Sequence, residues 1–295
     1  MRPVLRIGRR SASSDATADR ATVATGVDDL VERRLLTGLA LVPAGANVVM
    51  QLSLAPVGRA VLESRVESGA LTRHPIKRTR TTLSYLVLAM CGTEDERAWL
   101  GREVSRQHRG VRSGEASPVA YDAFDPSLQL WVAACLYRGA LDVLALYGES
   151  PEAATLDALY ERSARLATVL QVPPGAWPAT RADFDAYWNA RLAELTIDEP
   201  TRRYLVELVT LGFVWRPLSR LFGPWHARAT LALLDPPFRA LLGLTLSPAE
   251  EARVRRQLAG LARLYRALPP ALARAPFTWV LADARARRAR GRALT

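Results

Sequence analysis

The run from Leu35 to Gly58 contains no charged residue and is bracketed by Arg33, Arg34 and Arg59. A helix needs about 20 predominantly apolar residues to cross a bilayer, so this run is long enough. Its interior argues against a span. Pro43, Asn47, Gln51, Ser53 and Pro56 break or polarise it, and backbone groups freed by such breaks find no partner in lipid. An apolar stretch that cannot span has to be enclosed by the rest of the chain. It therefore predicts a broken pair of buried helices.

The rest of the chain can supply that enclosure. Leu, Ala and Arg dominate the 295 residues, and alternating Val/Ile/Thr runs are scarce. These are strong helix formers, and the Pro and Gly clusters read as helix punctuation. The fold class is thus all-α, and no internal repeat divides the chain, so one large multi-helix domain is expected. Residues 1–27 are polar and aperiodic and read as a flexible N-terminal arm, 28–290 as the folded domain, and 291–295 as a basic C-terminal tail. The first helix is expected from Asp28 to Pro43, followed by one to Pro56 and one ended by Gly69. A loop containing "HPIKR" then leads to a long helix closed by Gly92. Later helices are expected at 151–170, 180–195, 198–212, 217–232, 247–267 and 278–290, with "VPPGAWPAT" and "LDPPF" as breaks.

The net charge of +11 is concentrated at the two ends, "MRPVLRIGRR" and "DARARRARGRALT". No zinc-finger spacing, recognition-helix signature or aromatic–basic interleaving accompanies it, so nucleic acid is not an expected partner. Polybasic ends can hold a protein to anionic lipid, which leaves peripheral membrane contact through the termini open. Cys91 and Cys135 lie in apolar runs, as reduced structural thiols do. His74, His108 and His226 are far apart, and no Cys/His spacing suits a multi-ligand metal site. The Arg9–Arg10 pair is followed by a polar run where an export signal needs an apolar one, so the expected location is cytoplasmic.

Chemistry could sit on two helices. In "GREVSRQHRGVRSG", Leu100, Val104, His108 and Val111 share one stripe while Arg102, Arg106, Arg109 and Arg112 point elsewhere. The imidazole of His108 then faces inward and needs a hydrogen bond, a metal or a haem iron, because burying it unpartnered costs about 1–3 kcal/mol. A satisfied core histidine is the plain alternative. On the preceding helix Arg78, Thr82, Tyr85 and Ala89 fall on one stripe, putting a guanidinium, a hydroxyl and a phenol together. The plain alternative there is a solvated first turn.

The runs "MQLSLAPVGRAVLESRVESG", "HPIKRTRTTLSYLVLAMCGT", "VSRQHRGVRS", "SPVAYDAFDPSLQLWVAACLYRG", "LQVPPGAWPATRADFDAYW" and "PPFRALLGLTLS" occur in this order. Together they resemble the rubber-oxygenase-like family of haem-dependent oxygenases, which includes latex clearing protein and the fungal oxygenase of mycophenolic acid biosynthesis. The resemblance covers most of residues 31 to 290. It implies an all-α fold with haem b buried between central helices, an axial histidine, and dioxygen chemistry on an isoprenoid C=C bond. It assigns His108 as the iron ligand, and Arg78 and Thr82 as the Arg and Thr beside the haem. Glu63 falls at about the place of a pocket glutamate, although in "VLESRVES" it can equally pair with a basic neighbour on its helix face. Two positions depart from the pattern. Thr81 stands where rubber oxygenases have a lysine over the distal haem face, and Ala133 stands where many relatives have a histidine.

The resemblance thus predicts a haem oxygenase acting with dioxygen on a hydrophobic isoprenoid or lipid-like substrate, with Arg78, Thr82 or Glu63 polarising or protonating oxygen intermediates. A non-catalytic haem- or lipid-binding helical protein is the alternative, and the missing lysine counts towards it.

Overall fold

The computed structural model describes residues 22–64, 72 and 74–294. Helix α1 covers residues 22–30 and runs into a π-helical turn, Val31–Leu35, and a 3-10 turn, Gly38–Leu41. Next come α2 (Ala44–Leu52), α3 (Ala55–Glu63), α4 (Pro75–Cys91), α5 (Glu94–His108) and α6 (Pro126–Tyr147). The second half contributes α7 (Ala153–Val169), α8 (Arg181–Leu192), α9 (Glu199–Val209), α10 (Arg216–Leu233), α11 (Pro236–Leu242), α12 (Pro248–Ala267) and α13 (Pro270–Ala289). Among the described residues the only β feature is an isolated bridge between Arg112 and Asp122. The chain is one all-α domain.

Helix α6 is the axis. Asp125 caps it by accepting from the Ser127 amide at 2.7 Å, Pro126 occupies its first turn, and Gly148 ends it in the left-handed region at φ 62. It is apolar over most of its circumference, with Arg138 and Asp142 one turn apart on a single face, as a helix packed by others on most sides can be. Ala133 faces one core cluster, with Leu39, Leu88, Leu100 and Leu159; Trp131, Ala134 and Cys135 face a second, with Phe184, Leu205 and Phe238. Helices α7, α2 and α12 pack around it, α4 lies against α13, α7 and α5, and α9 lies against α2 and α3. Among the described residues α6 is the one helix long and apolar enough to cross a membrane, and 56% of its apolar window is buried inside the protein.

In the uncharged run the second of the expected buried helices is α2, Ala44–Leu52, while a π-helical turn and a 3-10 turn stand in place of the first. The single helix expected from Asp28 to Pro43 is broken at Thr37, which takes up an extended conformation (φ −122, ψ 162) and exchanges a hydrogen bond with Tyr147 Oη at 2.8 Å. At Gly38 the chain passes under Tyr265, whose hydroxyl would be 2.6 Å from any Cβ there. A side chain at 38 would push the Tyr265 ring aside.

Several expected boundaries are corrected. The folded part begins at least six residues before Asp28, with Val27 buried in the core; residues 1–21 of the expected arm, and Gly69, lie outside the described residues. The expected basic tail is packed as far as Leu294, which is 3% exposed. "HPIKR" is the first turn of α4, "LDPPF" breaks the chain between α10 and α11 as expected but also opens α11, and α13 starts at Pro270 where 278 was expected. In all three a proline sits in the first turn, where its missing N–H costs nothing.

Candidate functional site

The α4 and α5 stripes meet. Arg78, Thr82 and Tyr85 from α4, and Leu100, Val104 and His108 from α5 with Val111 just beyond it, line one cavity of about 290 Å³. Ala89, the last member of the α4 stripe, is fully buried in the core and does not line the cavity. The four arginines of the α5 segment, Arg102, Arg106, Arg109 and Arg112, are exposed. Helix α5 is set firmly. Thr93 and Glu96 form a capping box, and Glu96 also accepts from Arg285 Nε of α13 at 2.7 Å, a bond that holds its carboxyl below the usual carboxylate range.

Valines and leucines of α2, α3, α5 and α6 make the cavity's apolar walls, between polar groups from α4, α5, α6 and α9. His108 closes it at the end of α5. Burial, and then the Arg78 guanidinium, push its pKa down to about 4, with Asp122 pulling the other way. The ring is therefore neutral at pH 7, the form that donates a lone pair to a metal. Its Nδ1 is buried and has no hydrogen-bond partner. Phe124 packs edge-on against it, with centroids 6.2 Å apart.

Arg78 is a partly buried cation in the same cavity. Burial lowers its pKa, with the phenol of Tyr204 acting in the opposite sense, and among the described residues no carboxylate forms an ion pair with it. A guanidinium so placed asks for an anion. Thr81 reaches the cavity, but its hydroxyl donates to the Lys77 carbonyl at 2.9 Å. Ala133, fully buried in the core of α6, is not among the lining residues.

Glu63 stands apart from these residues and does not line the cavity. Its carboxylate accepts from Tyr121 Oη at 3.0 Å and Ser117 Oγ at 3.2 Å and pairs with Arg59 Nη1 at 3.4 Å. This ties α3 to the loop before α6, and it is the basic-partner arrangement foreseen as the alternative to a pocket role. The residues sequence reasoning did not single out are Tyr204 from α9, Gln129 from α6, Asp122 from the loop, and Leu294. Gln129 carries a second unpartnered buried atom, Oε1, while its amide nitrogen donates to the Ala123 carbonyl at 2.8 Å and to Gln171 at 3.3 Å. A lone amide in the apolar run "SLQLWVAACL" was the available signal. No metal-holding group of three His, Cys, Asp or Glu occurs among the described residues, so any iron here would depend on one protein ligand and a cofactor.

A family model described as ER-bound oxygenase mpaB/B'/Rubber oxygenase, catalytic domain, matches residues 32–267. Uncharacterized protein Rv2237 of Mycobacterium tuberculosis is 50% identical over 214 residues, which cover 72% of this chain and 83% of that protein. Uncharacterized protein Mb2261 of Mycobacterium bovis is similar to the same extent, 50% over 214 residues. No solved structure matches.

Proposed function

Since the chain belongs to the ER-bound oxygenase mpaB/B'/Rubber oxygenase catalytic-domain family, we propose that it is a haem b-dependent oxygenase acting on a hydrophobic substrate, isoprenoid or lipid-like, at a C=C bond. One observation carries the haem reading. A neutral, inward-facing His108 with an orphaned nitrogen shares an apolar cavity with an arginine that lacks a counter-anion. Haem b has the complementary requirements: a lone pair for its iron, a cation for its propionates and dry walls for its macrocycle. The residues present fit the group.

His108 would hold the iron, and Arg78 a propionate. Bound there, haem would supply the activation of dioxygen. This chain's own residues do the rest. The Leu and Val wall excludes water and holds an apolar chain, and Thr82 and Tyr204 offer hydroxyls able to donate a proton or hydrogen bond to an oxygen function. The cavity of about 290 Å³ is at the small end for ligand sites, so a cofactor plus substrate requires its wall to open.

The second reading, a non-catalytic haem- or lipid-binding protein, draws on a specific observation. Among the described residues the only carboxylate lining the cavity is the exposed Asp122, and Thr81 has its hydroxyl committed to the backbone. The deciding experiment is the visible spectrum and iron content of protein produced with a haem precursor, beside His108→Ala. A Soret band that the variant loses supports haem ligation by His108, and colourless folded parent protein overturns it. Oxygen consumption with isoprenoid alkenes then separates oxygenase from carrier.

A further inference from the structure

Gln51 of α2 and Gln129 of α6 line the cavity with their acceptor ends left over. A side-chain amide carries two donor hydrogens on its nitrogen and one acceptor oxygen, so what holds the nitrogen decides what the oxygen has to offer. In both residues the nitrogen is taken up by the protein and the oxygen is not.

Gln51 Nε2 donates to Asn47 Oδ1 at 2.7 Å, one turn back on α2. Asn47 cannot turn its nitrogen that way, because the nitrogen donates to the Cys135 carbonyl of α6 at 2.5 Å. A Cβ at Gly139 would collide with the Asn47 amide, so that glycine of α6 makes the room it occupies. Gln51 Oε1 is left with no hydrogen-bond partner among the described residues.

Gln129 is fixed in the same way. Its nitrogen donates to the Ala123 carbonyl at 2.8 Å and to Gln171 Oε1 at 3.3 Å. Gln171 is itself oriented by its own nitrogen, which donates to the Val169 carbonyl at 2.9 Å and the Gly101 carbonyl at 3.3 Å. It does so from a left-handed backbone, φ 66, which a residue with a Cβ adopts at a cost. Turning the Gln129 amide over would set oxygen against two oxygens. Gln129 is 4% exposed and its Oε1 has no partner. A buried acceptor without a donor is a cost that a ligand bringing a donor removes.

The rest of the cavity narrows that donor. Its valines and leucines suit an apolar skeleton. An ammonium group would meet the Arg78 guanidinium, and a carboxylate would set its oxygens against the two amide oxygens. A hydroxyl satisfies both sides: its hydrogen goes to a glutamine oxygen, and its lone pairs suit Arg78, Thr82 and Tyr204, donors that line the same space. From these observations we infer that the substrate is a hydroxylated apolar chain, an isoprenoid alcohol in its simplest form, selected by hydrogen bonds from O–H to Gln51 and Gln129. The inference rests on the cavity being the substrate site, as proposed above, and not on the iron.

The test is calorimetric titration of the full-length protein with geraniol, geranyl methyl ether and the matching hydrocarbon, dimethyloctadiene. The three share one chain and differ in carrying an O–H, a capped oxygen or no oxygen. Geraniol binds at least about ten-fold more tightly than the other two, the worth of a donor to an otherwise unpaired buried acceptor. Q51L/Q129L brings geraniol to the level of the hydrocarbon and leaves hydrocarbon binding as it was, with circular dichroism to check the fold. The ligand series on the parent protein needs no variant and decides alone if the variant unfolds. Equal affinities for the three ligands overturn the inference and leave the cavity an apolar substrate site. Geranate binding more tightly than geraniol overturns it in favour of an acid selected by Arg78, and no binding of any of the four overturns it together with the substrate-site reading.

Discussion

Arg78 on α4 and His108 on α5 face one cavity, and the guanidinium reinforces the effect of burial in keeping the imidazole uncharged, with a pKa of about 4. A histidine whose folded pKa lies below its unfolded value of about 6.5 binds more protons when unfolded, so stability rises with pH through that window. Stability from this group is complete above about pH 6.5 and is lost as pH falls towards 4, in total about 3 kcal/mol. Denaturant unfolding of ligand-free protein at pH 7 and pH 4.5, beside His108→Phe, measures it. The parent loses about 2–3 kcal/mol more than the variant on acidification; equal losses would place the imidazole in water.

Glu63 is predicted to be a strut. Its bonds to Tyr121, Ser117 and Arg59 join α3 to the loop before α6. Glu63→Ala removes three acceptor contacts on a partly exposed group and should cost about 1–2 kcal/mol in chemical denaturation. Burial first, and then the Glu63 hydrogen bond, push the Tyr121 phenol up to about 12. An ultraviolet titration of the variant should find this tyrosine ionising at lower pH. A variant with unchanged stability that loses turnover would instead make Glu63 catalytic.

What was legible in the sequence is what helical periodicity fixes. Leu100, Val104, His108 and Val111 share a face at any tertiary arrangement of α5, as do Arg78, Thr82 and Tyr85 on α4, so both stripes could be read before the helices were known to meet. Tyr204, Gln129, Asp122 and Leu294 reach the same cavity from three other segments and the chain's last described residue. Their convergence depends on packing around α6, which no local pattern encodes. Prolines were read as marking loops and breaks, which is half of what they do here. At Pro75, Pro236 and Pro270 they begin helices, because the first turn needs no donor from them. The break at Thr37 was hidden for a similar reason: its partners, Tyr147 and the Tyr265 ring over Gly38, are remote in sequence.

The last described segment forms part of the cavity wall. Leu294 lines the cavity, its amide donates to Glu103 Oε2 at 2.8 Å, and its carbonyl accepts from Arg80 Nη2 at 3.3 Å. It connects to α13 by only a few residues, so it can move without unfolding the helix. Deleting residues 292–295 should cost about 1–3 kcal/mol of stability and speed haem uptake, followed by stopped-flow absorbance. Unchanged uptake with unchanged stability would show that the cavity opens elsewhere.

Arg78 should show a conflict between stability and ligand binding. A partly buried guanidinium without a carboxylate partner is a cost the ligand-free fold bears, since desolvation is not offset by an ion pair. Arg78→Leu removes that cost and keeps the apolar wall, so the ligand-free variant should be more stable than the parent by about 1–2 kcal/mol. If the same guanidinium meets a propionate, the variant should bind haem at least about ten-fold more weakly, the equivalent of one charge-assisted bidentate contact. Arg78→Lys separates charge from geometry, because a lysine keeps the cation and loses the fork. It should recover part of the affinity and little of the stability gain. Denaturation of ligand-free protein and haem titration are independent readouts. A leucine variant that is destabilised would mean Arg78 has a compensating partner in the folded protein, and one that is stabilised yet binds haem as the parent does would remove Arg78 from the cofactor site while leaving His108 in it.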